Sequence, residues 1–71
     1  MVAVVEEKTN ALREIREAQM MSRAELARKA GVSPLTIDRI ERGSACRIVT
    51  KRKIMLALDL KLSDWRKVFD D

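Results

Sequence analysis

Histidine is absent from the 71 residues, and cysteine occurs once. Without histidine there is no Ser–His–Asp or Cys–His catalysis and no imidazole-ligated metal. A single thiol, Cys46, closes no disulfide within the chain and builds no cysteine-rich zinc site. No stretch approaches the 18 or so apolar residues of a membrane span. The apolar run Val2-Ala3-Val4-Val5 is too short for a signal-peptide core, and Glu6-Glu7 follows it in place of a cleavage site. These shortages predict a cytoplasmic protein that is not an enzyme and has no metal, cofactor or membrane partner. Length adds one more limit: below about 100 residues a second hydrophobic core has nothing to be built from. One domain is expected over residues 1–71.

What is present is 46% apolar and 37% charged residues, which suits a small complete core inside a shell of charge. The net charge of +4 and pI near 9.7 point to an anionic partner, or to solubility alone. Repeats, linkers and low-complexity tracts are missing, and Gly31, Gly43 and Pro34 are the strong punctuation.

Those three residues and a series of hydroxyls divide the chain into short helices. Leu12, Ile15 and Ala18 recur at helical spacing, so a first amphipathic helix covers roughly residues 10–20. Ser22-Arg23-Ala24-Glu25 has the form of a capping box, with Met21 and Leu26 placed as its hydrophobic staple. The second helix runs to Ala30, and Gly31 stops it in the left-handed conformation. Ser33 is a good N-cap and Pro34 fits the first helical position, so a third helix covers 34–42 before Gly43. Thr50 is read as the cap of a fourth helix, with Val49 and Ile54 as its staple. Ser63-Asp64 starts a short fifth helix whose Leu62, Trp65 and Phe69 share one stripe. Sustained period-two alternation is lacking, so the fold class is all-α. Residues 2–5 fit either an inter-subunit strand or an extension of the first helix.

Two short helices joined by a tight glycine turn, Arg23 to Gly43, describe a helix-turn-helix. Ala27 is small where the second helix of the unit crosses it, and Gly31 makes the turn. Leu26, Ala30, Val32, Ile37 and Ile40 supply the apolar positions that set the angle between the helices. A fixed angle matters because the second helix has to protrude into a major groove about 12 Å wide.

Residues 12–62 resemble the lambda-repressor-like (Cro/cI or XRE) helix-turn-helix family. The matching strings are Leu12-Arg13-Glu14-Ile15-Arg16, Ser22 to Ala27, Gly31-Val32-Ser33, Thr36-Ile37 and Arg39-Ile40-Glu41-Arg42-Gly43, then Thr50-x-Arg52-Lys53-Ile54 and Ala57-Leu58. Residues 1–8 form an N-terminal extension to this core. The resemblance implies a compact five-helix domain, a homodimer, and binding of double-stranded operator DNA in bacteria or phage, in the manner of a nucleoid-associated repressor. It also implies a salt bridge from the first helix to the third through Arg16 and Glu41. Arg23 stands where the family often has a DNA-bonding glutamine, and Pro34-Leu35 replaces hydrogen-bonding residues at the tip of the reading helix. Shape and deformability of the duplex then carry more of the specificity.

Charge placement agrees with a DNA partner. Residues 39–53 carry six bases against one acid, and all other residues carry nine bases against ten acids. A one-signed patch displaces counterions from phosphates, whereas a merely solvated surface mixes its signs. Pro34, Leu35, Thr36 and Arg39 are the candidates for base edges, with Arg39 suited to guanine and Leu35 to a thymine methyl. Arg23, Ser33, Arg42, Arg47 and Lys51 are the candidates for phosphates, and Arg42 is also spaced to pair with Asp38. Cys46 reads as a small apolar loop residue, and Met20, Met21 and Met55 as packing residues. Asp59 stands at a left-handed position where glycine is usual. Leu56, Leu60, Trp65 and Phe69 suggest a surplus apolar surface for a two-fold dimer through the last two helices. The competing reading is a protein-docking module, such as an antitoxin-like or antirepressor partner.

Overall fold

The computed structural model describes residues 10–69. Its helices are α1 (Leu12–Ala18), α2 (Arg23–Ala30), α3 (Pro34–Glu41), α4 (Ile48–Ala57) and α5 (Trp65–Val68), with a 3-10 turn, Leu62–Asp64, leading into α5. Among the described residues there is no strand, only an isolated antiparallel bridge between Asn10 and Phe69. Beside it the Ala11 N–H donates to the Val68 carbonyl at 2.8 Å, joining the two ends of the described chain. The strand or helix extension considered for residues 2–5 lies outside the described residues.

Local chemistry explains the helix starts in the middle of the chain. Ser22 Oγ accepts from the Glu25 N–H at 3.0 Å, and the Glu25 carboxylate accepts from the Ser22 N–H at 3.4 Å, which completes the capping box. Ser33 Oγ accepts from the Thr36 N–H at 3.1 Å, and Pro34 occupies the first helical position. At α4 the expectation fails. The helix begins at Ile48 after Arg47, with no side-chain cap, so Thr50 lies inside its first turn. Val49 is exposed and makes no staple with the buried Ile54. Cys46, packed against the core, pins the chain just before the helix, and this anchor sets the start in place of a hydroxyl. The fifth helix is also displaced, because the 3-10 turn takes Ser63 and Asp64.

The helix ends share one device. In each of α1 to α4 a residue of positive φ follows the helix: Met20 (57°), Gly31 (74°), Gly43 (105°) and Asp59 (61°). Two backbone bonds close each end, as when Gly31 donates to the Arg28 carbonyl and Val32 to the Ala27 carbonyl. The pairs Met20–Glu17 with Met21–Arg16, Gly43–Ile40 with Ser44–Arg39, and Asp59–Leu56 with Leu60–Met55 repeat the pattern. This is the Schellman arrangement, which satisfies carbonyls that the helix leaves open. Met20 is therefore no packing residue: it is 91% exposed, and its backbone makes the turn.

The core lies where α2 packs on both α3 and α4, with α1 and α5 closing over it. Leu12, Leu26, Ile37, Ile54, Met55 and Val68 are essentially inaccessible to solvent, and each such burial stabilises by about 1.5–3 kcal/mol. Met21, Val32 and Leu60, each following a left-handed residue, also pack into or against this core. The turns thus aim side chains as well as reversing the chain.

Two substitutions at the helix ends should act in opposite directions in chemical denaturation. Gly31→Ala meets no atom within 4 Å of the added Cβ, so its cost is backbone strain alone, about 1–2 kcal/mol. Met20→Gly relieves the same strain and removes an exposed side chain, so the unfolding midpoint should rise.

Candidate nucleic-acid interface

α3 has two faces. Ile37 and Ile40 point into the core, while Pro34, Leu35, Arg39 and Arg42 are exposed and Thr36 is half-buried. The helix start is occupied by its own capping: Thr36 Oγ1 lies 3.0 Å from Ser33 Oγ, which also receives the Thr36 N–H. Leu35 is the exposed apolar side chain at this tip.

The inner end of α3 is held by charge. Glu41, whose side chain is 2% exposed, accepts from Arg16 Nε of α1 at 2.7 Å and from Arg23 Nε of α2 at 3.0 Å. Arg16, itself buried, also donates to the Met21 carbonyl at 2.7 Å, so its guanidinium is used on two sides. Arg23 lies a further 3.8 Å from Asp38, and Arg42 lies 3.2 Å from the same carboxylate. One chain of charges, Arg16–Glu41–Arg23–Asp38–Arg42, therefore runs from the interior to the surface of α3. The outer pair is exposed and worth a few tenths of a kcal/mol, while the inner one is buried and strongly directional.

Asn10 adds a hold that no sequence feature had singled out. Its amide donates to the Ile40 carbonyl at 2.7 Å, and its Oδ1 accepts from the Leu12 N–H at 3.1 Å. It ties the start of α1 to the last turn of α3. The available signal was an asparagine just before an amphipathic run, a common helix-start pattern.

Between α3 and the loop into α4 lies an open groove of about 610 Å³ that brings together Thr36, Arg39, Ser44, Cys46, Arg47 and Thr50. Arg39 and Arg47 are exposed there, and among the described residues neither has a carboxylate partner. Cys46 is half-buried against the core, consistent with its reading as a loop packing residue. Lys51 is not in this groove. Its ammonium lies over the Trp65 ring, 4.9 Å from the centroid, and lines a second groove between α4 and the α5 region. Of the phosphate candidates, the structure brings Arg47 beside Arg39, links Arg23 and Arg42 to Asp38, and turns Lys51 to another face.

The apolar set assigned to a dimer surface also divides. Phe69 is only 2% exposed, and Leu60 packs against the core, so neither offers a free surface. Phe69 is drawn inward where it bridges to Asn10, and Leu60 by the left-handed turn at Asp59 before it. Leu56 is 60% exposed and Trp65 is half-buried. Ile48 and Val49 are also exposed; they were not assigned to this face, because the fourth helix was expected to start after them.

Breaking the buried pair gives a test of what orients α3. Glu41→Ala leaves Arg16 charged and buried and should destabilise by about 3–5 kcal/mol, read by thermal or chemical unfolding. The double substitution Arg16→Met with Glu41→Leu should lose much less than the sum of the single changes, because no charge is stranded.

Among the described residues no group of acidic or cysteine side chains is arranged to hold a metal, and no helix is long and apolar enough to cross a membrane. No curated protein matches the chain. A helix-turn-helix family model matches residues 12–65, which takes in α1 to α4 and the 3-10 turn, begins at the first residue of α1 and ends at the first residue of α5. The chain belongs to this XRE, or lambda-repressor-like, helix-turn-helix family of DNA-binding regulatory domains.

Proposed function

We propose that the protein is a sequence-specific, repressor-like transcriptional regulator that binds double-stranded operator DNA as a homodimer in the bacterial or phage-infected cytoplasm. The observation that carries this reading is the pairing of Arg39 and Arg47 in one exposed groove beside the outward face of α3. In the proposed complex α3 enters the major groove with its N-terminal half foremost. Arg39 makes a bidentate contact to guanine, Leu35 meets a thymine methyl, and Pro34 adds close apolar contact. Arg47 meets a phosphate across the groove edge. Ser33, at the positive end of the α3 dipole, takes a second phosphate.

Arg23 and Arg42 take phosphates by turning from Asp38, a shift with little cost at Arg42 because its pair is exposed. With Thr36 engaged by Ser33, direct hydrogen-bonded readout rests mainly on Arg39, so duplex shape contributes a large share of specificity. The dimer contact is centred on exposed Leu56 of α4, and its two-fold axis sets the reading helices about 34 Å apart on a pseudo-palindrome.

Binding to a selected duplex measured against salt tests the reading. Neutralising about six phosphates gives a log–log slope near −5. Arg39→Ala should weaken the preferred site by about 1–3 kcal/mol and relax base preference, while Arg47→Ala should weaken all sequences alike and reduce the slope by about one. Absence of DNA affinity at low salt would overturn the proposal in favour of a protein-docking role.

A further inference from the structure

Asn10 is attached to the fold on three sides. Its Nδ2 donates to the Ile40 carbonyl at 2.7 Å, its Oδ1 accepts from the Leu12 N–H at 3.1 Å, and its backbone bridges Phe69. An N–H on one side and a carbonyl on the other leave the amide one workable orientation. The Ile40 carbonyl belongs to the last turn of α3, where a helix supplies no partner of its own. It also accepts from the Gly43 N–H at 2.9 Å, so both its lone pairs are used.

Glu41 and Asn10 restrain α3 in different directions. Rolling the helix about its own axis swings the Glu41 carboxylate off Arg16 Nε and Arg23 Nε, at 2.7 and 3.0 Å, so these pairs resist roll. A tilt that pivots on the carboxylate leaves those bonds unchanged. The Asn10 bond resists it, because a helix carbonyl points along the axis toward the C-terminus and the amide meets it there. Leu35 lies six residues from Glu41, or about 9 Å along the axis. A tilt of about 10° carries it through about 1.5 Å, beyond the roughly 0.5 Å within which a binding geometry has to be held. Arg47 stands outside α3, just before α4, so its phosphate contact does not depend on this tilt.

We infer that Asn10 is a positioning residue for base readout: its bond to the Ile40 carbonyl sets the tilt at which α3 sits in the major groove. It governs discrimination between base pairs, while the phosphate contacts carry affinity for DNA at large. The inference rests on the DNA-binding reading and adds to it a residue that acts on the bases through α3.

Gln19 supplies a matched control. From the other end of α1 its Nε2 donates to the Leu58 carbonyl at 3.0 Å, the same kind of bond made to the end of α4 instead of to α3. Asn10→Ala and Gln19→Ala are compared with the wild-type chain at a temperature where circular dichroism shows all of them folded. Dissociation constants for a selected duplex and for its single-base-pair variants are measured across a salt series. Asn10→Ala should lower the ratio of matched to mismatched affinity about five- to tenfold, with the log–log salt slope unchanged. Gln19→Ala should leave the ratio unchanged. Asn10→Asp keeps the acceptor for the Leu12 N–H and loses the donor to Ile40, so it should lose discrimination as Asn10→Ala does. Wild-type discrimination in Asn10→Asp would overturn the inference, because the side chain would then serve only the start of α1. An equal loss in Gln19→Ala would overturn it too, as would a weakening of all sequences alike by Asn10→Ala. Wild-type protein without affinity for any duplex at low salt would overturn the DNA-binding reading and this inference with it, a result seen before any variant is compared.

Discussion

The orientation of α3 rests on one buried carboxylate. Glu41 closes the last turn of α3, where the helix dipole disfavours a negative charge, and it is held there by arginines from α1 and α2. Three helices are thereby referred to a single point. Ridge-and-groove packing of Ile37 and Ile40 restrains α3 but tolerates small rotations, whereas a buried arginine fork bonded to a carboxylate does not. Such a pair adds direction more than net stability, since apolar side chains of similar size can pack as well. Direction is what a reading helix needs, because a tilt at its inner end displaces Leu35 and Arg39 at the outer one.

The same charge chain carries a second consequence. Arg23 completes the coordination of Glu41 and lies near Asp38, so it is a structural residue whose outer edge remains exposed. A phosphate arriving there competes with Asp38 for a cation already in place. The cations without such competition, Arg39 and Arg47, share the groove beside α3. Four of the six cations of residues 39–53 thus fall on two different faces: Arg39 and Arg47 on one, Lys51 and Arg52 on the other.

Much of the fold was legible because short-range chemistry governs it. The capping box at Ser22, the Ser33-Pro34 start and the glycine stops at 31 and 43 act within four or five residues, and each occurs where the pattern put it. Asp59 was legible as a left-handed position from the family resemblance, since it stands where glycine is usual and aspartate tolerates that conformation. Met20 was not, since methionine has no local preference for positive φ, and only the paired bonds from Met20 and Met21 back to α1 impose it. The start of α4 was missed because a threonine offers a cap wherever it stands, while the packing of Cys46 decides where the helix begins.

The sequence by itself determined the helix-turn-helix and the family, because both are written in spacing: small Ala27, the turn at Gly31, and apolar residues at intervals that allow one crossing angle. Tertiary structure decided which like-charged side chains act together. Neighbours in sequence, Arg47 and Lys51 face different grooves, since Arg47 precedes α4 while Lys51 projects from its first turn onto Trp65. It also moved Phe69 from a presumed surface into the core through its bridge to Asn10, 59 residues away. Contacts of that separation leave no periodicity in the chain, because their partners are chosen by how the helices close on one another.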